Sequence, residues 1–263
     1  MDKTGVPGRR GAILVGASTG MGAALARLLA GRGWRVAIIA RRGEQLEQLC
    51  HELNTQHPNI PGGVVALAYP HDTTHYDEAP ALFERIRRDL GAAGSELDLL
   101  VYAAGIMPRG EQGAWSFAEE RATVEVNTIG GMRWIGLAAE AMRTMGHGTI
   151  VGISSVAGDR GRKGNSAYMA AKAALSTYLE SLRYRLAGTG VRVVTVKPGF
   201  VATPMTAGLK TPKPLTVSAE QAAERIAALC EGGKTVAYVP GYWNLIMRVI
   251  RSVPAALMPR LPI

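Results

Sequence analysis

Aromatic side chains are scarce in this chain of 263 residues, at 6% with only 3 phenylalanines, and none is interleaved with a block of basic residues. A nucleic-acid reader needs stacking platforms along a basic stripe, so the formal charge of +9 does not signal one. Cysteine is rarer still. Cys50 and Cys230 stand far apart and outside any metal-ligand spacing, which argues against a disulfide framework and for a reduced cytosolic state. No apolar run reaches the length of a spanning helix, and Met1 to Arg10 lacks the apolar stretch of a signal peptide. The expectation is a cytoplasmic protein. Acidic residues are few, 21 against 30 Lys and Arg. The excess charge suits acidic partners, an anionic membrane or a plainly solvated surface.

What is present is a rhythm. Apolar runs near 12–15, 35–40, 63–68, 98–102, 149–153, 191–196 and 236–239 alternate with helical stretches. The runs are almost continuously apolar, as strands are when helices cover both faces of a parallel sheet. The expected fold class is α/β, a doubly wound parallel sheet of about seven strands in a single domain. That domain spans residues 1–240, and 241–263 forms a C-terminal amphipathic segment rather than a second domain. Lys210 to Pro214 reads as a loop over a substrate.

The first run ends in Gly16-Ala17-Ser18-Thr19-Gly20-Met21-Gly22, after which Ala23 to Gly31 reads as a helix. Strand, glycine turn and helix together form a dinucleotide cradle. Gly16 permits the turn, Gly20 lets the backbone approach a pyrophosphate, and Gly22 lets the helix pack on the strand, with Ser18, Thr19 and Met21 completing the loop. At the end of the second strand, an acid would bind a ribose 2′-hydroxyl. Here stand Ala40, Arg41 and Arg42. Two guanidiniums in place of a carboxylate favour NADP(H), although both also suit the polar start of a helix at Gly43. Farther on, Tyr168 and Lys172 share one face of an Ala- and Leu-rich helix from Tyr168 to Leu186, thirteen residues after Ser155. An ammonium beside a phenol lowers its pKa and readies it for proton transfer.

Gly16-x-x-x-Gly20-x-Gly22, Asn127, Ser155, Tyr168-x-x-x-Lys172 and Pro198-Gly199 with Thr203 together resemble the classical short-chain dehydrogenases/reductases over roughly residues 10 to 240. The resemblance implies a Rossmann fold and NAD(P)-dependent hydride transfer on a small-molecule carbonyl or alcohol, in a homodimer or homotetramer. It implies Tyr168 as acid/base, Lys172 as the group that lowers its pKa and binds the nicotinamide ribose, and Ser155 as holder of the substrate oxygen. Asn127 would support a water relay, and Thr203 would touch the carboxamide beside Pro198 and Gly199. Asp72 stands where the family contacts the adenine ring, or caps a helix. One departure is Tyr102-Ala103-Ala104-Gly105, where the family usually shows Asn-Asn-Ala-Gly. Gly105 keeps the close backbone approach to the cofactor, but bracing of the central sheet by the asparagines is lost.

His71 and His75 with Asp72 and Asp77 fall at a loop-to-helix border rather than on one helix face, so no metal is expected. Arg160, Arg162 and Lys163, between Ser155 and Tyr168, either receive an anionic substrate or form a solvated loop. In the tail, Trp243, Ile246, Met247, Ile250 and Val253 align on one helix face with arginines at its rim. That stripe either lies on an anionic membrane or over a greasy substrate, or packs on the core or in a dimer interface. This end resembles the reductases of decaprenylphosphoryl 2-keto-erythro-pentose, which implies a keto-sugar on a polyprenyl phosphate. The leading expectation is an NADPH-dependent carbonyl reductase whose substrate is hydrophobic or lipid-linked. A 3-oxoacyl carrier-protein reductase, a hydroxysteroid-type dehydrogenase and a non-catalytic NADP-binding sensor stand behind it.

Overall fold

A computed structural model describes residues 9–57, 64–108, 116–209 and 211–261. Residues 1–8 of the start, Gly63 at the edge of the third expected strand, Lys210 of the expected loop, and Pro262 and Ile263 of the tail lie outside these described residues. The chain runs β1 (Arg9–Val15), α1 (Gly20–Gly31), β2 (Arg35–Ala40), α2 (Gly43–Gln56), β3 (Ala66–Pro70), α3 (Ala79–Ala92) and β4 (Ser95–Tyr102). It continues through α4 (Phe117–Val124), a π-helical turn at Glu125–Ile129, α5 (Gly130–Met145), β5 (Gly148–Ile153), α6 (Ser166–Arg185) and β6 (Val191–Pro198). Two short strands, β7 (Phe200–Ala202) and β8 (Thr216–Ser218), precede α7 (Ala219–Glu231), β9 (Val236–Val239) and α8 (Trp243–Ser252).

Seven strands form one parallel sheet in the order β3-β2-β1-β4-β5-β6-β9. Alternate residues of each strand feed opposite faces. Leu14, Ile38, Val101 and Val194 meet α1, α2 and α7 through Leu25, Leu46 and Ile226, whereas Ile13, Ile39, Leu100 and Val193 meet α3, α5 and α6 through Phe83, Trp134 and Leu179. Both faces are thus covered, which is why the strands read as unbroken apolar runs. The chain reverses its direction of winding between β1 and β4, and their carboxyl ends open a crevice there.

Three details depart from expectation. The third strand begins at Ala66 rather than near 63, because Asn54 Oδ1 accepts the N–H groups of Val65 and Ala66 at 2.8 and 2.9 Å and postpones the ladder. Instead of a plain loop after Thr203, the chain makes a 3₁₀ turn at Lys213–Leu215 and a small ribbon in which β8 pairs with β7. Those strands have three residues each, too few for periodicity to show. The third concerns the missing asparagine brace. Tyr102 is fully buried, and its hydroxyl donates to the Val126 carbonyl at 2.5 Å, tying β4 to the π-helical turn. Gly130 and Gly131 make room for this ring, since a Cβ on them would meet the Tyr102 Oη at 2.9 Å and Cε1 at 3.0 Å.

The tail also resolves. Trp243 and Met247 are buried with Val156, and Phe200, Leu215, Ile246 and Ile250 pack around them. The apolar stripe read from the sequence is therefore occupied by the body of the protein, not free for a membrane. Its partners come from the segment after Ser155 and from the β7–β8 ribbon, far away in sequence.

Candidate active site

The crevice above β1 and β4 is a cleft of about 410 Å³ lined by Gly16, Ser18, Thr19, Gly20, Met21 and Gly22 from the glycine loop and by Ala40, Arg41 and Arg42 after β2. Ala103 to Met107 after β4, with Thr203, Pro204 and Met205, close its far side. Gly16 and Gly20 hold φ of 89° and 58°, the left-handed region in which other residues are strained. Gly22 faces Ala17, whose Cα would lie 2.9 Å from an added Cβ, so α1 comes down directly on the loop. Thr19, the N-cap of α1, makes no side-chain capping bond, and the first turn carries no acid. The uncapped amides and the positive end of the helix dipole thus favour an anion.

The two arginines are held differently. Arg42 donates to Ser18 Oγ at 3.1 Å and Thr19 Oγ1 at 2.8 Å, which places its guanidinium on the glycine loop. Arg41 lies 3.6 Å from Asp72 Oδ2 and is more than half exposed. Asp72 Oδ1 accepts the backbone N–H and hydroxyl of Thr74 at 2.9 and 2.8 Å. It closes a turn rather than capping a helix, because α3 starts only at Ala79. Burial opposes ionisation of Asp72, but the Thr74 bonds and Arg41 outweigh it and hold the carboxyl below its ordinary range. His71 and Thr73 flank it and line the cleft, where Asp72 is not among the lining residues.

Beyond Gly105 lies a second cluster. A Cβ there would come within 2.9 Å of Asn127 Oδ1 and 3.5 Å of Lys172 Nζ. Asn127 is fully buried in the π-helical turn, and its amide exchanges two 2.8 Å bonds with the backbone of Ile106. Lys172 is buried on α6 and donates to the Ile153 carbonyl at 2.9 Å. Ser155 Oγ accepts the Ala157 N–H at 3.0 Å, capping a 3₁₀ turn at Val156–Asp159. Gly158 of that turn lets α6 approach, since an added Cβ would lie 2.7 Å from the Lys172 carbonyl carbon. The Tyr168 phenol, one turn before Lys172, shares a hydrogen bond with Ser155.

The electrostatics correct the expected direction for the phenol. Burial pushes Tyr168 above its ordinary value, and the Ser155 bond only partly offsets this. Lys172 Nζ sits 5.8 Å from the Tyr168 ring centre, and burial pushes the amine itself down to about 8. Desolvation therefore dominates both groups, and the four-residue spacing alone does not lower the phenol.

These groups fit a known pattern. The family model for short chain dehydrogenases matches residues 10–214. The chain belongs to this family. An oxidoreductase of Myxococcus xanthus, of uncharacterised activity, is 38% identical over 248 residues, covering 94% of each chain. A ketoacyl reductase of Nostoc is 32% identical over 212 residues, covering 76% of this chain and 70% of that protein. A short chain dehydrogenase of Burkholderia cenocepacia, solved in complex with NADP, superposes with a TM-score of 0.74 at 22% identity, covering 94% of this chain and 98% of that one.

Within this short chain dehydrogenase the structure gathers most of the residues singled out in the sequence. Asn127 and Lys172 approach Gly105, Tyr168 neighbours Lys172 and Ser155, and the glycine loop, Arg41, Arg42 and Thr203 share the cleft. Pro198 and Gly199 are not among the cleft's described lining. Gly199 instead gives its face to the Trp243 indole and its N–H to the Val239 carbonyl at 3.0 Å. Sequence reading missed Asn165, whose Oδ1 accepts the Tyr168 N–H at 2.9 Å and whose Nδ2 donates to the Pro108 carbonyl at 3.2 Å. An Asn just before a helical run is an N-cap signal that could have found it. Ser154 was missed as well. Its hydroxyl donates to the Lys172 carbonyl at 2.8 Å, a contact no local pattern announces.

Proposed function

We propose that this protein reduces a carbonyl to an alcohol with NADPH, using Tyr168 as the general acid. The observation that carries this reading is the Ser155–Tyr168 hydroxyl pair, half-buried at Tyr168, with buried Lys172 next to it and Lys172 in turn against Gly105, which lines the phosphate-ready cleft. The cleft fits a dinucleotide because the uncapped α1 terminus and the left-handed glycines leave backbone amides where a pyrophosphate needs them. Arg42 on the loop and Arg41 at the rim suit a 2′-phosphate, and Ala40 offers nothing to a 2′-hydroxyl. Lys172 would hold the nicotinamide ribose, with Thr203 at the carboxamide end. Bound there, a reduced nicotinamide would be the source of hydride for the carbonyl carbon. The Tyr168 hydroxyl gives its proton to the carbonyl oxygen, while Ser155 hydrogen-bonds that oxygen and orients it. The Lys172 ammonium stabilises the phenolate left behind until water returns a proton. Asn127, clamped to Ile106, positions the backbone around Gly105.

The loop after Ser155 favours a substrate with an anionic group. Asp159 is taken by Lys197 at 2.5 Å and by the Tyr238 hydroxyl at 2.6 Å, so it does not neutralise the neighbouring cations. Arg160 donates to the Val253 carbonyl at 3.1 Å. Arg162 Nε is buried and has no hydrogen-bond partner among the described residues, and Lys163 is exposed. A phosphate or carboxylate on the substrate would complete Arg162. A keto-sugar on a polyprenyl phosphate has both that charge and a hydrophobic body, and a ketoacyl compound is what the Nostoc relative's name suggests.

NADPH oxidation by the purified protein, followed over keto-sugars, oxoacyl thioesters, steroids and simple ketones, tests the reading. Turnover with at least one carbonyl, lost in Tyr168→Phe while NADPH still binds, is the expected result. A Tyr168→Phe protein as active as wild type would refute the assignment of the acid, and an inert wild type that binds NADPH would favour a non-catalytic sensor.

A further inference from the structure

From Gly232 to Ile263 the chain carries Lys234, Arg248, Arg251 and Arg260 and no acidic side chain. Within this stretch α8 has two apolar faces rather than one. The inner face, Trp243 and Met247, is buried on the body. The outer face leaves Leu245 69% exposed, Val249 60% and Tyr242 42%, with Leu257 just beyond the helix at 45%. Of the ten large apolar side chains exposed among the described residues, four fall in these sixteen positions, so the exposure is concentrated and not scattered. Tyr242, Leu245 and Val249 follow the i, i+3, i+7 spacing of one helical stripe, and exposed Arg248 and Arg251 stand beside it. An outward helix face normally carries polar residues, and here Leu245 and Val249 share it with Asn244, Ser252 and the two arginines.

Charge decides what covers this face. A second copy would bring the same arginines against themselves with no carboxylate to receive them. An anionic bilayer satisfies both halves at once: the leucine and valine enter the headgroup boundary, and the guanidiniums stay with lipid phosphates. We propose that the outer face of α8 docks this protein on anionic membranes. Because Arg160 binds the Val253 carbonyl and the Val156–Asp159 turn packs under α8, docking seats the Ser155–Tyr168 site at the lipid boundary.

Flotation of the full-length protein with vesicles tests this without reference to catalysis. At low salt the wild type floats with phosphatidylglycerol–phosphatidylcholine vesicles and stays down with phosphatidylcholine alone. The double variant Leu245→Glu, Val249→Glu loses roughly tenfold or more in vesicle partition while NADPH binding and melting temperature hold, because both side chains point away from the core. Wild-type protein that fails to float with phosphatidylglycerol at low salt overturns the proposal, and this measurement needs no variant. A double variant that floats like wild type overturns it too. If the substitutions instead change the protein's size in solution without vesicles, the face joins copies of the chain and membrane docking is wrong.

Discussion

Lys172 shows how far a residue's chemistry is set by what surrounds it. Its ordinary value of 10.5 falls to about 8 because burial strips the ammonium of water, while it donates to the Ile153 carbonyl. The folded chain therefore releases this proton before the unfolded chain does, and between about 8 and 10.5 the unfolded state binds more protons. Stability should rise with pH across that window relative to a Lys172→Met variant, which has no proton to lose. NADPH affinity should move the opposite way, falling above pH 8 as the ammonium is neutralised. Melting curves and fluorescence titrations of both proteins from pH 7 to 10 would show the crossing, and parallel pH dependences would contradict it. The arginines make a second case. Arg42 is fixed on Ser18 and Thr19, whereas Arg41 is shared with Asp72. Arg42→Ala should cut the NADPH-over-NADH ratio of kcat/KM by about tenfold or more, if one charge-assisted contact contributes even roughly 1.5 kcal/mol. Arg41→Ala should act in the same direction, and an unchanged ratio in both variants would remove the phosphate-binding role.

Between elements, the contacts that hold the site are made where a glycine lets two segments touch. Gly158 brings α6 onto the turn after Ser155, and Gly130 and Gly131 admit the ring of Tyr102 beneath the π-helical turn. That turn carries Asn127, so the bond from Tyr102 to Val126 connects the end of β4 to the cluster beside Gly105. Tyr102→Phe keeps the ring and removes only the hydroxyl. The expected cost is about 1 kcal/mol of stability, read by urea unfolding, with a larger loss of kcat than of NADPH affinity. Stability equal to wild type would mean that packing alone supplies the brace. The departure from the usual asparagine is legible in the sequence, but its replacement is not, since the acceptor lies 24 residues away on another element.

For the molecule as a whole, α8 is a wall of the fold as well as a surface. Trp243 fills the space over Gly199 and, with Met247, covers Val156 next to Ser155. Trp243→Ala should cost roughly 3–5 kcal/mol by opening a cavity, lowering the melting temperature by about 10 °C. Calorimetry would check this, and a shift below about 2 °C would mean that the helix is not coupled to the core. The same packing makes removal of everything after Pro240 a poor probe of membrane contact, because it strips an inner face as well as an outer one.

How much was legible divides by the range of the interactions. Strand and helix alternation, the glycine loop and the Ser155, Tyr168 and Lys172 spacing depend on neighbours within a few turns, so hydrophobic periodicity and backbone permissiveness were enough to read the parallel sheet and most of the cleft. The sequence also determined the charge: two arginines where an acid would stand, and a C-terminal stretch without carboxylates. Tertiary structure alone decided which apolar stripe of α8 turns inward, because both stripes are apolar and the choice depends on Val156, Phe200 and Leu215 arriving from elsewhere. It also decided the direction in which the Tyr168 phenol shifts. Spacing brings a cation near in the chain, but desolvation is the sum of everything packed around the group, and here it outweighs the bond from Ser155.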